Sequence, residues 1–145
     1  MKLSSLSEGL LQKRLVGDAD ILSLCADSRA VGEGDLFFCI AGTHADGHLF
    51  AKEALKRGAA AFVTQHELPL PAPQLIVPDS REAMARIAAA FCGHPERKLR
   101  LIAVTGTNGK TTTAHLLFHI LEAAEKRAGL IGTLGARFQS TVIAP

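Results

Sequence analysis

The stretch "AVTGTNGKTTTAHLL" (residues 103–117) combines an apolar strand end, a glycine-containing turn and a helix start, with one lysine in the turn. Glycines let backbone N–H groups approach a phosphate closely, and the N-terminus of the following helix favours an anion. The usual P-loop has four residues between its glycines, whereas only two separate Gly106 from Gly109. The pattern predicts a shortened phosphate-binding loop, and the alternative is a strand–helix turn with an incidental lysine.

The loop supplies each residue type that nucleotide binding requires. Lys110 is placed to neutralise the β- and γ-phosphates, and the Thr111 hydroxyl is placed to hold Mg²⁺. The residues predicted to bind the nucleotide form one run: Gly106, Thr107, Asn108, Gly109, Lys110, Thr111 and Thr112. We therefore expect this loop to bind a nucleotide phosphate together with Mg²⁺.

Composition excludes several other classes of protein. The formal net charge of +2 over 145 residues gives no basic excess for nucleic acid binding. The N-terminus lacks the apolar core of a signal peptide, and no apolar run is long enough to span a membrane. The three cysteines are scattered, which indicates neither a zinc site nor a disulfide framework. We expect a cytoplasmic protein.

The residues before the loop predict a small α/β domain. Apolar spacing predicts a helix over residues 3–15, and apolar runs predict strands within 21–28, 34–42, 59–65 and 74–79. Two further helices are predicted over 47–57 and, capped by Ser80, over 80–92.

A charged segment, "ERKLR" (residues 96–100), follows a Gly-His-Pro helix stop and predicts a domain boundary. We assign 1–97 to the first domain and 98–145 to the incomplete start of a second. In the second, "LIAVTG" (residues 101–106) predicts a buried strand, 110–127 a helix, and "GLIGTLG" (residues 129–135) a second strand or a strand followed by a loop. This strand–loop–helix–strand order is typical of the opening of a parallel α/β sheet. Such a unit leaves strand edges uncovered, so this chain could associate with a second copy.

Two other patterns carry less information. His115 and His119 have metal-ligand spacing, but the sequence between them lacks the glutamate of H-E-x-x-H, so we expect helix surface residues. The glycines at 129, 132 and 135 are three apart and do not match a dinucleotide-binding fingerprint.

The loop "TGTNGKTTT" resembles the ATP loop of the Mur ligases, which form amide bonds in peptidoglycan precursor synthesis, and of related synthetases. The stretch "ADSRAVGEGDLFFCIAGTHADGHLFAKEALKRGAAAFVT" (residues 26–64) resembles the N-terminal domain of the MurE type, and "IGTLG" (residues 131–135) resembles its continuation. The resemblance implies an N-terminal α/β domain that binds the UDP end of the substrate, followed by a P-loop ATPase domain.

The resemblance also implies which residues contact the uridine. By position these are Ala26, Ser28, Thr43, His44 and Ala45. Relatives often carry His-Gln where this chain has Thr43 and His44, so backbone contacts are more secure here than side-chain contacts. The residues alone allow another interpretation, in which Asp27-Ser28-Arg29 is a strand-end turn closed by a salt bridge.

The resemblance implies that the nucleotide is ATP, that ATP and Mg²⁺ are the cofactors, and that Lys110 is the catalytic residue. The implied activity is ATP-dependent addition of the third amino acid to UDP-N-acetylmuramoyl-L-alanyl-D-glutamate. Further family residues would lie beyond Pro145, so we expect the 145-residue chain alone to be inactive and the parent protein to be a monomer. The expected partners are the UDP-linked dipeptide and an amino acid of unspecified identity. Alternatives are a MurF-type ligase, a non-catalytic nucleotide-binding module and, less well supported by the short loop, an ordinary P-loop NTPase.

Overall fold

The computed structural model describes residues 1–42 and 45–144. The chain divides into two compact units, Met1–Leu99 and Arg100–Pro145, which are described separately. Both combine helices and strands, as the sequence predicts. Among the described residues, no helix has the length and apolar character needed to cross a membrane.

The first unit contains a five-stranded sheet flanked by helices. The strands are β1 (Arg14–Val16), β2 (Ser23–Cys25), β3 (Asp35–Phe38), β4 (Ala61–Thr64) and β5 (Gln74–Ile76). Their spatial order is β1-β5-β4-β3-β2; β2 to β5 run parallel, and β1 pairs antiparallel with β5. The helices are α1 (Leu3–Leu6), α2 (Ala51–Lys56) and α3 (Ser80–Phe91), with 3-10 helices at Gly47–Phe50 and Pro95–Arg97.

The core lies on both faces of this sheet. Because side chains alternate along a strand, Leu36 and Phe38 join one cluster while Phe37 and Cys39 join the other. Helices α1 and α3 cover the first face with Leu3, Leu6, Ala83 and Ile87. Helix α2 covers the second face with Ala51 and Ala54. This two-sided burial explains why the apolar runs around 34–42 and 59–65 correctly predict strands.

The prediction of a helix over residues 3–15 is wrong beyond its first turn. Helix α1 ends at Leu6, and Arg14–Val16 instead pairs with β5 at the sheet edge. The Ser7 hydroxyl donates to the carbonyl of Ser4 at the helix end, and Gly9 follows. Leu11 is 96% exposed, so the apolar spacing that suggested a continuous helix does not correspond to one buried face.

The start of α3 also differs by one residue from the prediction. The N-cap is Asp79, whose carboxylate accepts hydrogen bonds from the backbone N–H groups of Arg81 and Glu82. Ser80 is the first helical residue and is buried.

The second unit contains helix α4 (Lys110–Ala123) and a three-stranded antiparallel sheet of β6 (Gly129–Gly132), β7 (Gly135–Phe138) and β8 (Thr141–Ile143). The predicted helix and the strand from Gly129 are confirmed, but the predicted strand over 101–106 and the parallel pairing are wrong. Residues 101–105 join no strand in the described part of the chain, and Leu101 and Ile102 are 73% and 66% exposed. A parallel strand needs a partner brought by a crossover, whereas the antiparallel strands pair through short local turns.

Candidate functional site

The first candidate site lies at the carboxyl edge of the five-stranded sheet. Strands β2 to β5 are parallel, so the segments that follow them all lie along this edge. Open α/β sheets bind ligands outside the carboxyl ends of their strands. Ala26 and Ser28 follow β2, and Ala45 follows β3. The other predicted uridine contacts, Thr43 and His44, lie outside the described residues.

The segment after β2 is a turn closed by an ion pair. The N–H of Ala30 donates to the carbonyl of Asp27 at 2.9 Å, and the Arg29 guanidinium donates to both Asp27 carboxylate oxygens at 3.0 and 2.8 Å. Hydrogen bonds to the carboxylate from the Arg29 guanidinium and from the Arg29 backbone N–H lower the pKa of Asp27 to about 2. The salt-bridged turn considered from the sequence is therefore present, and it holds partly buried Ser28 between the two charged residues.

A second arginine connects this turn to α2. Arg57, at the C-terminal end of α2, donates from Nη1 to the carbonyl of Arg29 at 3.3 Å. Its other guanidinium nitrogens donate to the Glu53 carboxylate at 3.0 and 3.2 Å. The turn that contains Ser28 is thus braced from the following helix.

The segment after β3 returns to the sheet through a backbone bridge between Ala41 and Asp46. The N–H of Gly42 donates to the carbonyl of Ala45 at 2.9 Å. Asp46 caps the 3-10 helix by accepting from the N–H of His48 at 3.0 Å. A Cβ at Gly47 would lie 2.6 Å from the backbone nitrogen of Ile40, so only glycine fits. The predicted turn and cap roles of Asp46 and Gly47 are confirmed.

His48 is a feature of this edge that the sequence analysis missed. Its side chain is only 5% exposed, and its Nδ1 lies 2.6 Å from the Asp46 carboxylate. Its Nε2 accepts the N–H of Gln65, just after β4, at 3.1 Å, and its ring stacks on His66 with centroids 4.7 Å apart. Hydrogen bonds from the backbone N–H and the imidazole of His48 lower the pKa of Asp46.

The second candidate site is the phosphate loop at the start of α4. Gly106 and Gly109 have φ angles of 143° and 76°, values that glycine adopts without strain. Gly109 is the N-cap and brings no side chain to cap the helix, and the first turn contains no acidic residue. The first helical hydrogen bond runs from the N–H of Thr113 to the carbonyl of Gly109 at 2.9 Å. The positive end of the α4 dipole therefore faces no carboxylate of its own first turn.

The predicted ATP-binding side chains surround this helix start and are exposed. The Lys110 ammonium donates to the carbonyls of Gly106 and Thr107, the latter at 3.2 Å, so the cation lies against the loop backbone. The Thr111 hydroxyl lies 3.5 Å from that of Thr133. Lys110 and Thr111 are among the residues that line a 520 Å³ cleft within the second unit. An ammonium, an exposed hydroxyl and an uncapped helix start suit a phosphate with its Mg²⁺.

The two helix histidines behave differently from each other. His115 lines the same cleft, whereas His119 Nδ1 lies 3.6 Å from the Glu122 carboxylate on the surface of α4. Within residues 1–42 and 45–144, no group of three His, Cys, Asp or Glu side chains is arranged to hold a metal ion.

Comparison with protein families gives matches to both parts of the chain. The model described as "Mur ligase family, catalytic domain" matches residues 20–92, and the model described as "Mur ligase middle domain" matches residues 104–143. The first match contains the carboxyl-edge segments, and the second contains the phosphate loop.

Individual relatives agree with the family matches. The chain is 51% identical over 121 residues to UDP-N-acetylmuramoyl-L-alanyl-D-glutamate--2,6-diaminopimelate ligase from Geobacillus thermodenitrificans, covering 83% of this chain and 25% of the relative. A solved structure of a ligase of the same name matches with a TM-score of 0.71 and 29% identity, over 84% of this chain and 26% of that one. MurF ligase from Thermotoga maritima, solved in complex with ADP, matches with a TM-score of 0.59 and 31% identity, over 73% and 24% of the two chains. This chain spans about a quarter of the length of these proteins.

Proposed function

Because the chain belongs to the Mur ligase family, we propose that its 145 residues are part of an ATP-dependent ligase of peptidoglycan synthesis. The enzyme adds the third amino acid to UDP-N-acetylmuramoyl-L-alanyl-D-glutamate. The observation that carries this proposal is the 51% identity to a ligase named for that substrate. The relative is also named for 2,6-diaminopimelate, which is the amino acid to test first.

The second unit supplies the nucleotide loop in this proposal. ATP is bound by the run 106–112, with the Lys110 ammonium neutralising charge on the β- and γ-phosphates and the Thr111 hydroxyl holding Mg²⁺. The substrate carboxylate attacks the γ-phosphorus to form an acyl phosphate and ADP, and the incoming amine then displaces phosphate. The chain contributes mainly position and charge, because phosphoryl transfer depends on both. The exposed Lys110 and the uncapped start of α4 support this role.

The first unit binds the UDP end of the substrate along the carboxyl edge of its sheet. The contacting residues are Ala26, Ser28, Thr43, His44 and Ala45. Support comes from the braced turn that holds Ser28 and from the closed backbone turn that ends at Ala45. In this scheme residues 1–97 form the UDP-sugar-binding domain and 98–145 the start of the ATP-binding domain. We propose that the protein is cytoplasmic, since ATP and nucleotide-linked precursors are its substrates, and that the complete protein is a monomer.

The MurF type of ligase is less favoured than the MurE type. MurF from Thermotoga maritima matches with a TM-score of 0.59, compared with 0.71 for the diaminopimelate ligase structure. An assay with each substrate distinguishes the two types of ligase, because a MurF-type enzyme would require the UDP-linked tripeptide instead of the dipeptide. A non-catalytic nucleotide-binding module would bind ATP or UDP without forming product.

The test is ligation by the complete protein with ATP, Mg²⁺, the UDP-linked dipeptide and 2,6-diaminopimelate, followed by mass spectrometry of the product. Lys110→Ala should lower kcat/KM by about 100-fold or more, because it removes a charge that stabilises the transferred phosphoryl group. Lys126→Ala, an exposed lysine beyond the end of α4, is the matched control and should leave kcat/KM unchanged. The 145-residue chain should form no more product than its own Lys110→Ala variant. Absence of ATP-dependent product from the complete protein would refute the proposal.

A further inference from the structure

The buried His48 links two segments of the carboxyl edge, one beside it in sequence and the other 17 residues further along the chain. On one side is Asp46, which caps the 3-10 helix and directly follows Ala45. On the other side is Gln65, the first residue after β4. The imidazole lies between them, with polar contacts of 2.6 and 3.1 Å.

These contacts specify one tautomer of the neutral ring. The Gln65 backbone N–H can only donate, so Nε2 must be the unprotonated nitrogen. Nδ1 then carries the proton and donates it to the Asp46 carboxylate, which can only accept. The opposite tautomer would place two donors against each other at Gln65 and leave Nδ1 without a proton for Asp46.

The ring is also confined on its flat face. His66 stacks on it with an angle of 19° between the ring planes, and the His48 side chain is only 5% exposed. A buried side chain with both nitrogens bonded holds its partners rigidly, because breaking either bond leaves a polar group unsatisfied. Asp46 and the adjoining Ala45 are therefore held against the end of β4.

We propose that His48 is a positioning residue for the UDP end of the substrate. Its Nδ1–H tautomer holds the Ala45–Asp46 segment against the end of β4, so that the segment is arranged before the ligand arrives. This inference rests on the proposed function, in which the same edge binds UDP. It adds a residue that would not touch the ligand and would act through Asp46.

The experiment is titration of the ¹⁵N-labelled 145-residue chain with UDP, followed by amide NMR shifts at Ala26, Ser28 and Ala45. His48→Ala should raise the Kd by about tenfold, because the binding segment is no longer held in place before binding. His48→Gln should recover most of this loss, since its carboxamide can accept from Gln65 and donate to Asp46. His66→Ala removes only the stacked ring and should change the Kd by less than about twofold.

The tautomer supplies a readout that does not depend on the stability of any variant. Long-range ¹H–¹⁵N spectra of the unsubstituted chain at neutral pH should show His48 protonated at Nδ1 and not at Nε2. An Nε2–H tautomer would overturn the inference, even if His48→Ala failed to fold. Unchanged UDP affinity in a folded His48→Ala variant would also overturn it while leaving the proposed function intact. Absence of UDP binding by the unsubstituted chain would refute the UDP-binding role of this unit, and the inference with it.

Discussion

Helices α3 and α4 begin in opposite ways. Helix α3 starts at Asp79, whose carboxylate accepts from the N–H groups of Arg81 and Glu82 at 2.7 and 3.2 Å. Helix α4 starts at Gly109, which has no side chain and a φ of 76°. Both helices have a positive dipole end, but only α3 neutralises that end with its own N-cap side chain.

This difference separates a structural helix start from one that is suited to a ligand. A capped N-terminus contributes to folding and has little remaining affinity for an anion. An uncapped N-terminus is less stable alone, but it offers free N–H donors to an incoming phosphate. The position of Lys110 and Thr111 in the first turn of α4 fits the second case. Three changes test how far the comparison holds.

The largest effect is expected when α4 is given the cap that α3 has. Gly109→Asp should weaken ADP binding by the complete protein about tenfold, because a carboxylate beside the start of α4 would repel the phosphates. Gly109→Asn is the matched control, since asparagine has the same shape, tolerates positive φ and carries no charge. Isothermal titration at fixed ionic strength measures both affinities. Equal ADP affinity for the two variants would show that carboxylate charge at this position has no effect.

A smaller effect is expected when α3 loses its cap. Asp79→Ala should lower the free energy of unfolding of the first unit by about 1 kcal/mol, the usual cost of removing an N-cap side chain. Asp79→Asn retains an oxygen acceptor and should stay within about 0.3 kcal/mol of the original chain. The chain contains no Trp or Tyr, so urea unfolding is best followed through amide NMR signals of α3. A loss of similar size in both variants would mean that the carboxylate charge, rather than the cap hydrogen bonds, stabilises α3.

Much of the first unit could be predicted from sequence because its strands are buried on both faces. The run around Asp35–Phe38 sends alternate residues into two core clusters, so continuous apolar character correctly indicated a strand. Residues 3–15 were mispredicted because leucines at helical spacing are also compatible with a short helix followed by an edge strand. The edge strand forms because Arg14–Val16 pairs with Gln74–Ile76. This pairing joins residues about 60 positions apart, so local spacing does not indicate it.

Strand prediction in the second unit was limited even more by its dependence on pairing with a neighbouring strand. The composition of residues 101–106 suits a buried strand, but a strand also requires a neighbour, and here Leu101 and Ile102 are exposed. Helix α4 and the strand from Gly129 were predicted correctly because helical hydrogen bonds and short antiparallel pairings are local.

The two candidate sites also differ in how much of each could be predicted from local sequence. The phosphate loop is contiguous in sequence, so its residues could be named from the motif. The role of His48 could not, because it depends on a hydrogen bond from Gln65 across the carboxyl edge. The only local signal was the short spacing between Asp46 and His48, which is also typical of a simple helix cap.

The smallest expected effect is a difference in the response of helix starts to acid. Asp46 caps the 3-10 helix of the first unit, and hydrogen bonds from His48 hold its pKa below the ordinary 3.8. A carboxyl with a lowered folded pKa stabilises the fold above its unfolded pKa, and this stabilisation is lost as pH falls through the folded pKa. The His48 amide NMR signal should therefore shift with a midpoint below pH 3.8, and Asp46→Asn should abolish that shift. The amides of Thr111 and Thr112 should not titrate in this range, because the first turn of α4 contains no acidic residue. A shared midpoint at both helix starts would contradict the distinction between them.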